Sequence, residues 1–137
     1  MDLEVLKIAS NTKNHKVLDN VTHFSKLKNP ICGDEMNISL IIIDKKVKDF
    51  GYQCKSCIYC QASVSLLSIK SINKSTDKIK NLLEVAINFL DNKKSSFPKE
   101  WSIFNKIFKE KNISRKECLV LPFKTLSKAL KIKNDKK

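Results

Sequence analysis

The spacing of hydrophobic residues changes along the chain, from helical near the N-terminus to alternating and back to helical. Apolar residues recur with a weak helical period over residues 3–9, which predicts a short amphipathic helix. From residue 36 to residue 42 apolar and polar side chains alternate, which is typical of a β-strand with one buried face. The polar residues 44–46 predict a hairpin turn, after which residues 47–53 return as an antiparallel strand.

Helical spacing dominates the rest of the chain. We predict a short buried helix over residues 58–68, beginning directly after a cysteine. Thr76 is a good N-cap for an amphipathic helix over residues 77–92. Residues 119–132 predict a last helix that Pro122 interrupts near its start.

A stripe of aromatic residues precedes that last helix. Pro98 suits the first turn of a helix that carries Trp101, Phe104 and Phe108 on one side, which is typical of a core face. The order along the chain is thus a helix, a few antiparallel strands and then several helices. The sequence predicts an α+β fold rather than alternating βαβ units.

Length and composition favour one domain over the whole chain. The 137 residues are 42% hydrophobic, which suits a single core over residues 1–137 that ends in a basic tail, residues 131–137. The longest apolar run, residues 38–43, is far shorter than the roughly 20 residues of a membrane span. The acidic start lacks the features of a secretory signal. We therefore expect a cytoplasmic protein with no membrane partner.

The net charge of +13 is concentrated in residues 69–137, which carry +11 of it. A basic half of this kind is found in many nucleic-acid-binding proteins, but those rely heavily on arginine for phosphate and guanine contacts. Here Arg115 is the one arginine, and the lysine excess is typical of an A+T-rich genome. Solvated lysine faces are the preferred explanation, and nucleic acid is not an expected partner.

Five cysteines direct attention to metal or thiol chemistry. Their odd number, in a chain expected to be cytosolic, argues against a complete disulfide framework. The cluster Cys54, Cys57 and Cys60 has the C-x2-C-x2-C spacing with which ferredoxins begin. Val64 stands where a ferredoxin would place its fourth cysteine, so a ferredoxin is not favoured.

A longer pattern is more specific, because three separated cysteines lie in distinct motifs. These motifs are NPICGD at residues 29–34, CIYCQAS at residues 57–63 and CLVLPF at residues 118–123. They resemble the U-type iron-sulfur assembly family, namely IscU, SufU and the N-terminal domain of NifU, with its motifs N-P-x-C-G-D, G-C-x-x-x-x-A-S and C-x-x-L-P-W. The resemblance covers about residues 16–130. It implies a small antiparallel sheet of about three strands packed against several helices.

The resemblance implies a ligand set of three thiolates and one carboxylate, from Cys32, Asp34, Cys57 and Cys118. Such a set suits a tetrahedral Zn²⁺ site or a coordinatively labile iron site. We expect Zn²⁺, with iron or a [2Fe-2S] cluster as the alternative.

Two features make this sequence more similar to the SufU subgroup than to the other members of the family. Cys57 and Cys118 are 61 positions apart, a long separation that SufU-type proteins share, and Glu117 stands where IscU-type proteins carry histidine. Arg115 matches an arginine of SufU-type proteins that is implicated in the zinc site. A cation near thiolates would stabilise the ionised sulfur, so Arg115 is expected to support the site.

The resemblance implies a sulfur carrier or scaffold rather than a conventional enzyme. In the SufU-like version, Cys32 accepts persulfide sulfur from a PLP-dependent cysteine desulfurase and passes it to downstream assembly machinery or apo-proteins. In the scaffold version, the same ligands build a [2Fe-2S] cluster, with Cys118 as the sulfur acceptor. An alternative of another class is a structural zinc module that binds a partner or nucleic acid through its basic half.

Each residue also has a plainer interpretation. A cysteine such as Cys118 is often only a small buried residue, Asp34 suits a turn, and Arg115 suits an exposed surface. Cys54 and Cys60 have no counterpart among the family's ligands. They are either inert, or relay sulfur, or offer alternative metal ligation.

Overall fold

Three antiparallel strands and four α-helices form most of the described chain in a computed structural model, which describes residues 3–30, 33–88 and 97–131. Helix α1 (Leu3–Ala9) precedes strands β1 (His23–Lys28), β2 (Glu35–Ile43) and β3 (Lys46–Lys55). Helices α2 (Ile58–Ser71) and α3 (Thr76–Asn88) follow, and two 3-10 helices (Lys99–Lys106 and Glu110–Arg115) lead into α4 (Lys116–Lys131). This arrangement confirms the predicted α+β fold class.

The three strands lie in the order β1-β2-β3, each antiparallel to its neighbour. The turn between β2 and β3 is where the sequence placed it. Asp44 and Lys45 adopt φ values of 52° and 64°, which match the two central residues of a type I′ hairpin turn. In the β2–β3 register Glu35 pairs with Lys55, so the end of β3 lies beside the start of β2.

Strand β1 was not located by the sequence analysis, which placed the first strand at residue 36. The reason is the residue that faces inward. Ser25 is buried in this strand and its hydroxyl donates to the main-chain carbonyl of Thr125 in α4, whereas Phe24 is exposed. The apolar alternation that predicts a strand is therefore nearly absent here.

Helix α2 lies at the centre of the molecule, packed against α1, α4 and β3. It extends to Ser71, three residues beyond its predicted end. Because buried residues lie all round it, the serines Ser63, Ser65 and Ser68 must find acceptors, and each hydroxyl donates to a main-chain carbonyl.

The helix after Pro98 is a 3-10 helix, with Trp101 at non-helical dihedral angles within it. Its aromatic side chains are buried, as predicted, and stack with others in a cluster of Phe97, Trp101, Phe104, Phe108 and Phe123. This cluster fixes α4 against the segment before it.

The predicted interruption of the last helix by Pro122 is wrong. Helix α4 begins at Lys116 and runs through the proline without a break. The proline removes one amide donor, while the residues around it are buried, and the Ser63 hydroxyl donates to the Leu119 carbonyl at 2.6 Å. Tertiary packing of the apolar face therefore maintains the helix.

Within residues 3–30, 33–88 and 97–131, no helix is long and apolar enough to cross a membrane. Residues 89–92 of the predicted third helix, Ile132 of the last one, and residues 132–137 of the predicted basic tail lie outside the described residues. The single domain over residues 1–137 stays a prediction.

The aromatic cluster generates a prediction of stability. Replacing Phe104, whose side chain is fully buried, in the variant Phe104→Ala should lower the free energy of unfolding by about 3–5 kcal/mol, through lost burial and a new cavity. Urea denaturation followed by circular dichroism measures it. Phe24→Ala, at an exposed position of β1, is the matched control and should change the free energy by less than about 1 kcal/mol. Equal losses in the two variants would contradict this account of the core.

Candidate metal centre

The first candidate ligand lies in the turn between β1 and β2. Gly33 has φ +80°, a left-handed conformation that glycine adopts without strain. The Asn29 amide donates to the Asp34 carbonyl and the Gly33 amide donates to the Asn29 carbonyl, both at 2.8 Å. These bonds hold Asp34 at the very start of β2, where it is buried.

The second candidate ligand lies at the N-terminus of α2. Cys57 is the N-cap residue, with extended dihedral angles, and its carbonyl accepts a hydrogen bond from the Gln61 amide at 3.0 Å. One residue, Ser56, separates Cys57 from the end of β3. Because the end of β3 pairs with the start of β2, the sheet register brings Cys57 close to Asp34.

The third candidate ligand lies in the first turn of α4. Cys118 is buried there, and α4 packs along α2 through the Ser63–Leu119 hydrogen bond. Packing of the two helices thus brings the N-terminus of α4 to that of α2. One carboxylate oxygen of Asp34 and the sulfur atoms of Cys57 and Cys118 all lie within 4.8 Å of one another.

The Asp34 carboxylate fits a cation at this point. Its Oδ2 atom is buried and has no hydrogen-bond partner within the described residues, an arrangement that is unfavourable for a carboxylate without a counter-charge. Ligand atoms around a tetrahedral zinc ion are roughly 3.3–3.8 Å apart, as follows from metal–ligand bonds of about 2.0–2.3 Å. A small closure of the three groups would therefore complete three corners of such a site.

Three of the four predicted ligands are thus brought together. The fourth, Cys32, lies outside the described residues. The assignment of all four as metal ligands stays a prediction.

Arg115 is exposed at the end of the second 3-10 helix, three residues before Cys118. Its guanidinium carbon lies 5.4 Å from the centre of the Tyr59 ring, within range of a cation–π interaction. Tyr59 was not singled out by the sequence analysis, and nothing in its spacing marks it as a partner. The stack joins the segment before Cys118 to the first turn of α2. The predicted supporting role of Arg115 stays a prediction.

Cys54 and Cys60 flank Cys57 along the chain but do not belong to the three-residue group. Burial raises the pKa of the Cys54 thiol, and it raises the pKa of the fully buried Cys60 thiol well above its usual range. The nearby Ser56 hydroxyl partly offsets both shifts, and the charge of Asp34 adds to them. Both thiols are consequently protonated at neutral pH.

Comparison with known proteins identifies the class. Residues 2–99 match the model of the NifU-like N-terminal domain family. The chain is 32% identical over 130 residues to the iron-sulfur cluster assembly scaffold protein IscU of Thermotoga maritima, covering 93% of this chain and 89% of the relative. This protein therefore belongs to the NifU-like N-terminal domain family, which includes iron-sulfur cluster assembly scaffolds.

Solved structures agree with this membership. The N-terminal NifU-like protein of Brucella abortus superposes with a TM-score of 0.83 at 19% identity, covering 93% of this chain and 89% of the other. A cluster assembly scaffold protein for the SUF system from Fervidobacterium islandicum superposes with a TM-score of 0.81 at 25% identity, covering 92% and 93%. The predicted fold and family are confirmed.

The buried Asp34 carboxylate leads to a prediction about thermal stability that differs between metal-free and zinc-bound protein. In metal-free protein, Asp34→Ala should leave the melting temperature unchanged or raise it, because a buried oxygen without a partner is removed. With Zn²⁺, the variant should bind the metal at least about tenfold more weakly and gain less thermal stability from it. Zinc titration and thermal melts measure the two effects.

Asp19→Ala, at an exposed position, is the control for charge alone and should behave as the unmodified protein in both states. A metal-free Asp34→Ala protein that melts at a markedly lower temperature, with its zinc affinity intact, would show that Asp34 serves the turn and not a metal.

Proposed function

We propose that this protein takes part in iron-sulfur cluster assembly by accepting persulfide sulfur from a PLP-dependent cysteine desulfurase and passing on sulfur or a nascent cluster. The observation that carries the proposal is the convergence of two thiols and a carboxylate oxygen of the buried Asp34 at the N-terminal ends of α2 and α4. Among the described residues, Oδ2 of that carboxylate has no hydrogen-bond partner. Membership of the NifU-like family supports it. We place the protein in the cytoplasm.

Cys32 is proposed to complete the site. It precedes Asp34 by two residues, so the chain keeps their Cα atoms within about 7 Å of each other in any conformation. Three thiolates and one carboxylate then surround the metal, and Zn²⁺ would keep its thiol ligands ionised at neutral pH. An oxygen ligand holds zinc or iron less tightly than a fourth thiolate would, which suits a site that must release its contents.

The proposed sulfur transfer is a thiol exchange. The Cys32 thiolate attacks the outer sulfur of the persulfide on the desulfurase, the S–S bond breaks, and the desulfurase cysteine leaves as a thiolate. Cys32 then carries the persulfide, and no electrons are gained or lost overall. Cys118 is the alternative acceptor. A cavity of about 310 Å³ beside Pro30 and Glu117 offers space for an approaching segment of the desulfurase.

The position before Cys118 favours the SufU-like version with zinc. Residue 117 is a glutamate and not the histidine of IscU-type proteins, and its carboxylate pairs with Lys124 at 3.9 Å. The names of the Thermotoga and Fervidobacterium proteins favour the second candidate function, a scaffold on which a [2Fe-2S] cluster is assembled. Both versions use the same ligands and the same sulfur donor.

Metal and sulfide analysis of protein purified without oxygen distinguishes the two versions. About one zinc per chain without acid-labile sulfide is expected for the SufU-like carrier. Iron with an equal amount of sulfide and a brown absorption spectrum would identify the scaffold instead. Protein with neither metal, even after reconstitution with zinc or with iron and sulfide, would contradict both.

Desulfurase assays test the transfer itself. Cys32→Ser and Cys118→Ser should each reduce stimulation of a SufS-like cysteine desulfurase to the rate of the desulfurase alone, because the sulfur acceptor or a ligand that positions it is lost. Cys54→Ser, which changes a thiol outside the ligand group, is the control and should retain stimulation. Full stimulation by both ligand variants would refute sulfur acceptance.

The structural zinc module predicts a different combination of results. In that case removal of zinc by a chelator would unfold the protein, while the desulfurase would turn over at the same rate with or without it.

A further inference from the structure

The N-terminal end of α2 carries a second cysteine that the ligand group does not use. Cys57 is the N-cap residue and Cys60 is the third residue of the helix, so the two form a C-x-x-C motif around one helical turn. In an α-helix, Cα atoms three residues apart are separated by about 5 Å. A disulfide requires a Cα separation of about 4.4–6.8 Å, so the backbone already provides the spacing.

The side-chain directions agree with this spacing. Side chains in a helix tilt toward its N-terminus, which directs the Cys60 sulfur back toward the turn where Cys57 lies. The Cys60 thiol lies beside the Ser56 hydroxyl and within electrostatic range of Asp34, Cys54 and Cys57, in that order of strength. The Ser56 hydroxyl oxygen is itself buried.

Exposure differs between the two cysteines. Cys57 is half-buried and belongs to the group that meets Cys118, whereas Cys60 is fully buried and lines the core. A thiol on a partner protein therefore has access to Cys57 but not to Cys60. A sulfur atom carried by Cys57 could react with Cys60 without Cys60 being exposed to solvent.

We propose that Cys60 is a resolving thiol that releases sulfide from a persulfide carried by Cys57. This inference deepens the proposed function, on which it rests for the source of sulfur. The geometry assigns Cys57 the persulfide and Cys60 the attack, and it places the released sulfide beside Asp34 and Cys118.

Sulfur reaches Cys57 by exchange within the ligand group. The sulfur atoms of Cys57 and Cys118 lie within 4.8 Å. The Cys57 thiolate attacks the outer sulfur of a persulfide on Cys118, and Cys118 leaves as a thiolate. This step moves one sulfur atom and changes no oxidation state.

The resolving step reduces that sulfur atom. The Cys60 thiol gives up its proton as it attacks the inner sulfur of Cys57–S–SH, and the S–S bond of the persulfide breaks. The outer sulfur leaves as HS⁻, which takes up that proton, while a Cys57–Cys60 disulfide forms. The two electrons gained by the sulfur come from the two cysteines. A dithiol reductant then restores both thiols for the next cycle. The product, sulfide, is the form of sulfur that an iron-sulfur cluster contains.

Cys54 offers a matched control, since it lies three residues before Cys57, as Cys60 lies three residues after it. Its thiol is half-buried, and it lines two cavities that His15 also lines. It lies on a strand, whereas Cys57 and Cys60 span the first turn of a helix.

The test loads metal-free, fully reduced protein with persulfide from inorganic polysulfide, removes the excess, and measures sulfide release without added reductant. The full chain should release sulfide and form a Cys57–Cys60 disulfide, one HS⁻ for each disulfide, as mapped by peptide mass spectrometry. Cys60→Ser and Cys60→Ala should release sulfide at least about tenfold more slowly and retain the persulfide mass. Cys54→Ser should behave as the unmodified chain.

Two results would overturn the inference: undiminished sulfide release from both Cys60 variants with native circular dichroism, or a disulfide that joins Cys57 to Cys54. If both Cys60 variants fail to fold, the mapped disulfide in the unmodified chain decides the question alone. The same assay with a cysteine desulfurase and cysteine as the sulfur source separates the two proposals. Release after polysulfide but none after the desulfurase would refute sulfur acceptance and leave the role of Cys60 intact.

Discussion

The contact between α2 and α4 determines the geometry on which the candidate site depends. Helix α2 is enclosed by α1, α4 and β3, and α4 in turn covers β1 and β2. The hydrogen bond from the Ser63 hydroxyl to the Leu119 carbonyl fixes how far the helices slide along each other near their N-terminal ends. Because Cys57 begins α2 and Cys118 lies in the first turn of α4, this packing sets the distance between the two thiols. The sheet register then adds Asp34 to the same point.

The middle of helix α2 and its N-terminal end have different roles. In the middle, the serine hydroxyls donate to main-chain carbonyls, so their burial leaves the core well packed. At the start, the N-cap residue is a cysteine that makes no side-chain capping hydrogen bond, and the first turn contains no acidic residue. The same helix thus contributes a well-bonded core and places Cys57, a member of the candidate site, at its N-terminal end.

The fold was predictable where apolar residues recur with a regular period on the buried face of an element, as in β2 and α3, and at the hairpin turn. It was less predictable where the buried residues follow no period, or where a residue is of a type that disfavours the element in which it lies. Strand β1 was missed because Ser25 is its inward residue, and Pro122 was taken as a helix break because the apolar contacts around it could not be seen. The motifs indicated which residues belong to the site. The stack of Arg115 on Tyr59 depends on tertiary packing, and no local pattern encodes it.

The position of Cys57 implies that two uses of its sulfur exclude each other. A sulfur atom that holds a metal with Asp34 and Cys118 cannot at the same time form a disulfide with Cys60. Burial raises the pKa of the Cys60 thiol, which keeps this neutral group from competing for a cation while the ligand group is intact. Once the metal has left and Cys57 carries sulfur, that same thiol is the group positioned to react with it. Burial of one cysteine would in this way order metal binding before sulfide release, with no movement of the helices.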